Sequence, residues 1–65
     1  MMSDATPLPA IGAPATRAFT AAGYLCLEDL DGASRTTLLA MHGVGPRAIR
    51  ILDEAMAERG LWLAD

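Results

Sequence analysis

One cysteine, one histidine and no lysine leave this chain few chemical options. The lone Cys26 cannot close an internal disulfide, and together with His42 it falls short of the four ligands a structural zinc requires. Only Phe19, Tyr24 and Trp62 are aromatic, so a core must be assembled from Leu, Ile, Val, Met and Ala. Thirteen alanines inflate the hydrophobic share of 52%, and such a composition favours helix over sheet. No apolar run approaches the roughly 18 residues of a membrane span. The opening Met1-Met2-Ser3-Asp4 has neither the basic head nor the apolar stretch of a secretion signal. The expectation is a cytoplasmic protein with no membrane partner, and a free thiol agrees with a reducing compartment. At 65 residues there is room for one domain. A domain of that size buries only about 60% of its unfolded surface, so helix packing must supply the stability.

Catalysis is excluded by inventory. A nucleophile, an orienting base and an oxyanion site cannot be assembled from these residues, so no enzyme activity, cofactor or small-molecule substrate is expected. Glu28, Asp29 and Asp31 read as a capping and solvating cluster, having no neighbouring base or ligand. His42 has no companion and reads as an exposed or capping residue. Cys26 stands where Ser or Thr would cap a short helix, and reads as a buried, inert thiol. Trp62, between two leucines, reads as a seal on the core rather than a platform for stacking a base.

The formal net charge of −3 is the wrong sign for a domain that coats DNA. Its distribution is more informative. Residues 5–27 carry Arg17 and no acid, and residues 32–52 carry Arg35, Arg47 and Arg50 and no acid. Every basic residue is arginine, whose planar fork suits phosphate oxygens.

Proline and glycine divide what remains. Residues 1–7 are small and polar and are expected to be disordered or loosely laid on the surface, ahead of a domain over residues 8–65. Pro7, Pro9 and Pro14 exclude a helix before Pro14. A first helix then runs from Pro14 or Ala15 to Ala22, stopped by Gly23. Residues 25–30 form a compact turn of helix with Glu28 and Asp29 at its start, where the helix dipole favours anions. Ser34 caps a third helix from Arg35 to about Met41, with Leu38, Leu39 and Met41 facing inward. Pro46 opens the longest helix, which runs to about Arg59 and buries Ala48, Ile49, Leu52, Ala55 and Met56. Leu61-Trp62-Leu63 then folds back over the core. The predicted buried set is Leu8, Ile11, Phe19, Leu27, Leu30, Leu38, Val44, Ile49, Leu52 and Met56. The fold class is all-α, a compact domain of four helices, or five if residues 11–14 form a turn of helix.

The chain also repeats itself. Leu8-x-x-Ile11-Gly12-x-x-Ala15-x-Arg17 matches Met41-x-x-Val44-Gly45-x-x-Ala48-x-Arg50 at a constant offset of 33 residues. After a four-residue insertion, Ala22-Gly23-Tyr24 answers Arg59-Gly60-Leu61. Two copies of one helical unit about a pseudo-twofold is the simplest reading. It predicts that Gly12 and Gly45 share a backbone conformation.

Residues 38–49 hold the pattern apolar-x-x-Gly-apolar-Gly followed by a small residue in the next helix, as Ala40-Met41-His42-Gly43-Val44-Gly45 and then Ala48. Gly43 and Gly45 permit angles and approaches that a Cβ would block. Val44 plugs the space between two helices, and Ala48 lets them cross closely. The amides opening the second helix lack internal acceptors and form a ready anion site. This segment resembles the helix-hairpin-helix motif. From Leu8 to Leu63 the chain is similar to a double helix-hairpin-helix domain, in particular the C-terminal domain of the bacterial RNA polymerase alpha subunit. The landmarks are Arg17-Ala18, Ala22-Gly23-Tyr24, Leu27-Glu28-Asp29-Leu30, Leu38-Leu39, Gly45-Pro46-Arg47 and Gly60-Leu61. The resemblance implies a SAM-like fold and weak, sequence-indifferent binding of the DNA backbone in a transcription- or repair-associated role. With no polymerase-assembly domain in these residues, a free-standing relative is expected. Carried over by position, the binding residues are Gly43, Val44, Gly45, Arg47, Ala48 and Arg50, extended by Arg35 and Arg17. Because Pro46 has no N–H, the amides on offer are those of Val44, Gly45, Arg47 and Ala48. Two alternatives stay open: Arg47 and Arg50 as a solvated helix face with Arg50 paired to Glu54, and the whole domain as a protein-docking module without DNA binding.

Overall fold

The two long helices begin and end beside proline and glycine, and the two short ones start after Cys26 and Ser34. A computed structural model describes residues 5–64. It places α1 at Ala13–Ala21, α2 at Leu27–Leu30, α3 at Arg35–Leu39 and α4 at Pro46–Ala57. These are the four expected helices, with α2, α3 and α4 each shorter by about a half-turn than expected. Residues 11–14 add no fifth helix; α1 simply starts at Ala13, with Pro14 in its first turn. Among the described residues there is no strand, only two isolated bridges, and no helix is long and apolar enough to cross a membrane.

The two long helices end in the same way. Beyond α1, the Gly23 amide donates to the Thr20 carbonyl (3.1 Å) and the Tyr24 amide to the Phe19 carbonyl (2.8 Å). Beyond α4, the Gly60 amide donates to Ala57 (3.1 Å) and Leu61 to Met56 (2.9 Å). Each is a Schellman closure through a glycine, which satisfies carbonyls that a helix end leaves without partners. Such a closure brings the residue after the glycine onto the last buried turn. The half-buried Tyr24 accordingly meets the fully buried Phe19 edge to face, with ring centroids 6.3 Å apart. The repeat read from the sequence is therefore a repeat of helix endings as well as of letters.

The core is a single cluster. Phe19, Leu27, Leu30, Leu38, Leu52 and Met56 are fully enclosed, and Ile11, Ala15, Val44, Ala48, Ile49 and Leu63 complete it. Helix α4 packs against both α2 and α3. Nine of the ten residues expected to be buried are buried; Leu8 is half-buried against the cluster. Two inward expectations fail. Leu39 is exposed, because α3 has one covered side and its neighbour Leu38 takes it. Trp62 is 64% exposed and seals nothing, since the tail runs extended and turns alternate side chains to opposite faces. Leu63 is the tail residue that enters the core.

Both ends of the described chain are laced to α2 and its flanks, and the acids do the lacing. Residues 1–4 of the expected N-terminal segment lie outside the described residues. At Thr6 the amide donates to Glu28 Oε1 (2.8 Å), the hydroxyl donates to Glu28 Oε2 (2.9 Å), and the carbonyl accepts from the Leu27 amide (2.9 Å). At the other end, the Trp62 amide donates to Asp31 Oδ1 (3.0 Å) and its carbonyl accepts from Gly32 (2.8 Å). Ala64 exchanges backbone bonds with Ala33 and Arg35 (2.8 and 2.9 Å). Asp29 accepts from the Leu25 amide (3.0 Å). The acidic cluster is a set of backbone acceptors. Cys26 caps α2 without a side-chain bond and is half-buried rather than buried.

The amide of Thr6, then its hydroxyl, hold the Glu28 carboxyl below its ordinary pKa. A carboxyl depressed on folding stabilises the fold fully above its ordinary value, and that contribution is lost as pH falls through the depressed one. Glu28→Ala is expected to free the Thr6 strap and leave the four helices in place. Amide-exchange protection of Leu27 at neutral pH checks this: it should fall in the variant, and in the wild type it should fall on acidification below the carboxylate range. Unchanged protection in the variant would remove Glu28 from the role.

Candidate functional site

The turn between α3 and α4 is built on one glycine. The Met41 amide closes on Leu38 (3.1 Å) and the Val44 amide on Met41 (3.1 Å), and the chain reverses at Gly43 with φ of 89°. A Cβ at Gly43 would stand 3.0 Å from Pro14 Cβ and 3.1 Å from the Pro14 carbonyl oxygen. The hairpin therefore rests directly on the first turn of α1. Val44 is buried as the plug and Ala48 as the small crossing residue.

Gly45 behaves differently from the expectation. Its φ of −119° is open to any residue, and nothing lies within 4 Å of where its Cβ would be. Neither angle nor space within the domain calls for glycine there. The repeat also breaks locally: Gly12 has φ 98° and Gly45 −119°, so the two do not share a conformation. Each is nonetheless the residue before a helix, and each carbonyl accepts the first intrahelical bond, from Thr16 (3.0 Å) and Ile49 (3.2 Å) respectively. The alignment holds at the level of helix starts and fails at the level of the turn.

Neither helix start has a side-chain cap. The Val44 amide, expected to be on offer, is spent on Met41. The amides of Gly45, Arg47 and Ala48 have no acceptor among the described residues, and the same holds for Ala13 and Ala15 at the start of α1. The two starts border one open hollow of about 350 Å³, lined by Gly12 from the first unit and Gly43, Gly45, Arg47 and Ala48 from the second, with no acid in its wall. A second hollow, of about 520 Å³, lies beside it along α1 between Arg17 and His42. The hairpin borders both, His42 on one side and Gly43 on the other.

Four of the eight expected site residues, Gly43, Gly45, Arg47 and Ala48, thus meet at one hollow. Val44 lies in the core beneath, and Arg17 borders the neighbouring hollow. Arg50 is exposed one turn along α4 and does not pair with Glu54. Arg35 is turned elsewhere: its guanidinium is ion-paired to Asp53 at 2.5 Å, tying α3 to α4. Gly12 and His42 are wall residues that sequence reasoning passed over, although Gly12 could have been found as the repeat partner of Gly45.

The charges of α4 run against its own dipole. Arg47 lies in the first turn, where an acid would stabilise the helix, while Glu54 and Glu58 lie at the last turn and C-cap, where bases would. Arg59, just beyond the C-cap, has the favourable sign, but helix stability does not account for the others. The effect of this order is to add the full positive charge of Arg47, with that of Arg50 one turn on, to the partial positive charge of the helix start. Elsewhere, chemistry is quiet. The Asp29 amide lowers the Cys26 thiol pKa, but desolvation and the carboxylates of Asp29 and Glu28 outweigh it, and the net shift is upward, away from thiolate. Among the described residues no cluster of His, Cys, Asp or Glu is placed to hold a metal ion.

Compared with protein-family models, with curated proteins and with solved structures, the chain matches none.

The two hairpin glycines should separate on mutation. Gly43→Ala forces a left-handed angle that costs about 1–2 kcal/mol and presses a methyl into Pro14, so the melting temperature is expected to fall by at least about 4 °C. Gly45→Ala is expected to stay within about 1 kcal/mol of wild type, the loss of an acceptable N-cap opposing the gain from a stiffer unfolded chain. Thermal melts of both decide it, and equal losses would refute the distinction.

Proposed function

We propose that the chain is a helix-hairpin-helix module that binds the DNA backbone, weakly and without sequence preference, through the hairpin and the first turn of α4. What supports this reading above all is that two uncapped helix starts border one acid-free hollow with Arg47 in its wall. A phosphate there would find the amides of Gly45, Arg47 and Ala48 and the Arg47 guanidinium, the combination that makes helix starts anion sites. An absent Cβ at Gly45, which the fold does not require, keeps the approach open. The reversed charge order of α4 acts in the same direction. Arg50 along α4 and Arg17 beside the hairpin extend the track, and Arg35, bound to Asp53, contributes less.

Such a surface carries few charges, so its binding is shallow in salt. Three arginines on phosphates give a slope of about −2.7 in log affinity against log salt, and a non-specific affinity of about 10⁻⁴ to 10⁻⁶ M is expected. Physiological use then calls for a second contact from a partner or a further copy. Titration of short duplex and single-stranded DNA at low and moderate salt tests the reading. Arg47→Glu with Arg50→Glu should abolish binding while helical content is retained. No association of the wild type at about 20 mM salt, where screening is weak, would replace this function with that of a protein-docking module.

A further inference from the structure

The exposed side of α4 carries a charge pattern complementary to itself. Arg47, Arg50, Glu54 and Glu58 are all exposed, and at 3.6 residues per turn they fall within an arc of about 80°. None of the four is ion-paired to another described residue. Arg50 and Glu54 are four apart, but with the base N-terminal, the weaker orientation for a pair within one helix. The basic half lies at the positive end of the helix dipole and the acidic half at the negative end, so on this face the charges oppose the dipole at both ends, while Arg59, just past the C-cap, has the favourable sign.

We infer that this face of α4 recognises the same face of a second copy, the two helices lying antiparallel. Centred on Leu52, the pairing sets Arg47 against Glu58 of the other copy and Arg50 against Glu54. Both pairs fit one register to within a single helical rise of about 1.5 Å. The arrangement is isologous and closes as a dimer, so it does not propagate into a filament. It also removes the charge–dipole conflict in trans: each copy's Glu54 and Glu58 come to the positive start of the other's α4, and its Arg47 to the negative end. Between the charges lie only Ile51, half-buried, and Ala57, so the interface is small and the association weak and salt-sensitive. Because Arg47 and Arg50 serve both contacts, DNA and the second copy compete for them.

Sedimentation velocity without DNA tests this. At about 20 mM salt the wild type should move from monomer toward dimer between about 20 µM and about 1 mM, and return to monomer at about 1 M salt, where the screening length is about 3 Å. Two double variants carry the decision. Arg47→Glu with Arg50→Glu makes the face wholly acidic, and Glu54→Arg with Glu58→Arg makes it wholly basic. Each alone should be monomeric, and an equimolar mixture should form a heterodimer tighter than the wild-type pair by at least about tenfold. Circular dichroism of each variant confirms that it is folded. A wild type that stays monomeric throughout, or one whose dimer survives either double variant, overturns the inference. DNA titration of the wild type at concentrations below the dimer range reports on the proposed function whatever the dimer does.

Discussion

The contact on which this domain turns is the seating of Gly43 on the first turn of α1. A hairpin between α3 and α4 is local structure and could point anywhere. The approach of Gly43 to the Pro14 backbone, at a separation that leaves no room for a methyl, joins it to the other unit of the repeat. That one contact sets the start of α4 beside the start of α1 and creates the hollow that both border. Neither helix start caps itself, and proline occupies the first turn of each, so the arrangement places several unpaired amides in one neighbourhood. Fold and candidate site share a cause.

The acids have a different part from the one net charge assigns them. Glu28, Asp29 and Asp31 each accept a backbone amide from a segment that lacks regular structure, and Asp53 holds Arg35 across two helices. A chain this small, with no disulfide, secures its ends with such bonds. Half of the eight acids are thereby committed to architecture. The net charge of −3 is consequently a poor guide to the potential at the hairpin, whose walls carry no acid.

Most of the fold was legible because proline and glycine mark its boundaries and the apolar spacing marks its core. Four helices and nine buried positions follow from those two signals. The failures have physical sources. Leu38 and Leu39 are adjacent, and a helix of five residues with one covered side can bury only one of them. Trp62 was read by its neighbours, but an extended tail alternates its faces and the leucines took the inner ones. At the candidate site, residue types and spacing singled out Gly43, Gly45, Arg47 and Ala48, which line one hollow. Their differing roles were not legible, because the sign of a glycine's φ and the space beside it depend on tertiary contacts, for Gly43 with Pro14, 29 residues away. The Arg35–Asp53 pair was equally hidden, joining residues on separate helices with no spacing rule between them.

The lacing of both chain ends bears on how this domain can be built into larger proteins. Thr6 is tied at the start of α2 and Trp62 just past its end, and α2 is a helix of only four residues, about 6 Å of rise. The described chain thus enters and leaves on the two flanks of one short helix, as a plug does with its two leads. A short linker would suffice to join the ends, so the domain is topologically suited to circular permutation and to insertion whole into a surface loop of a host.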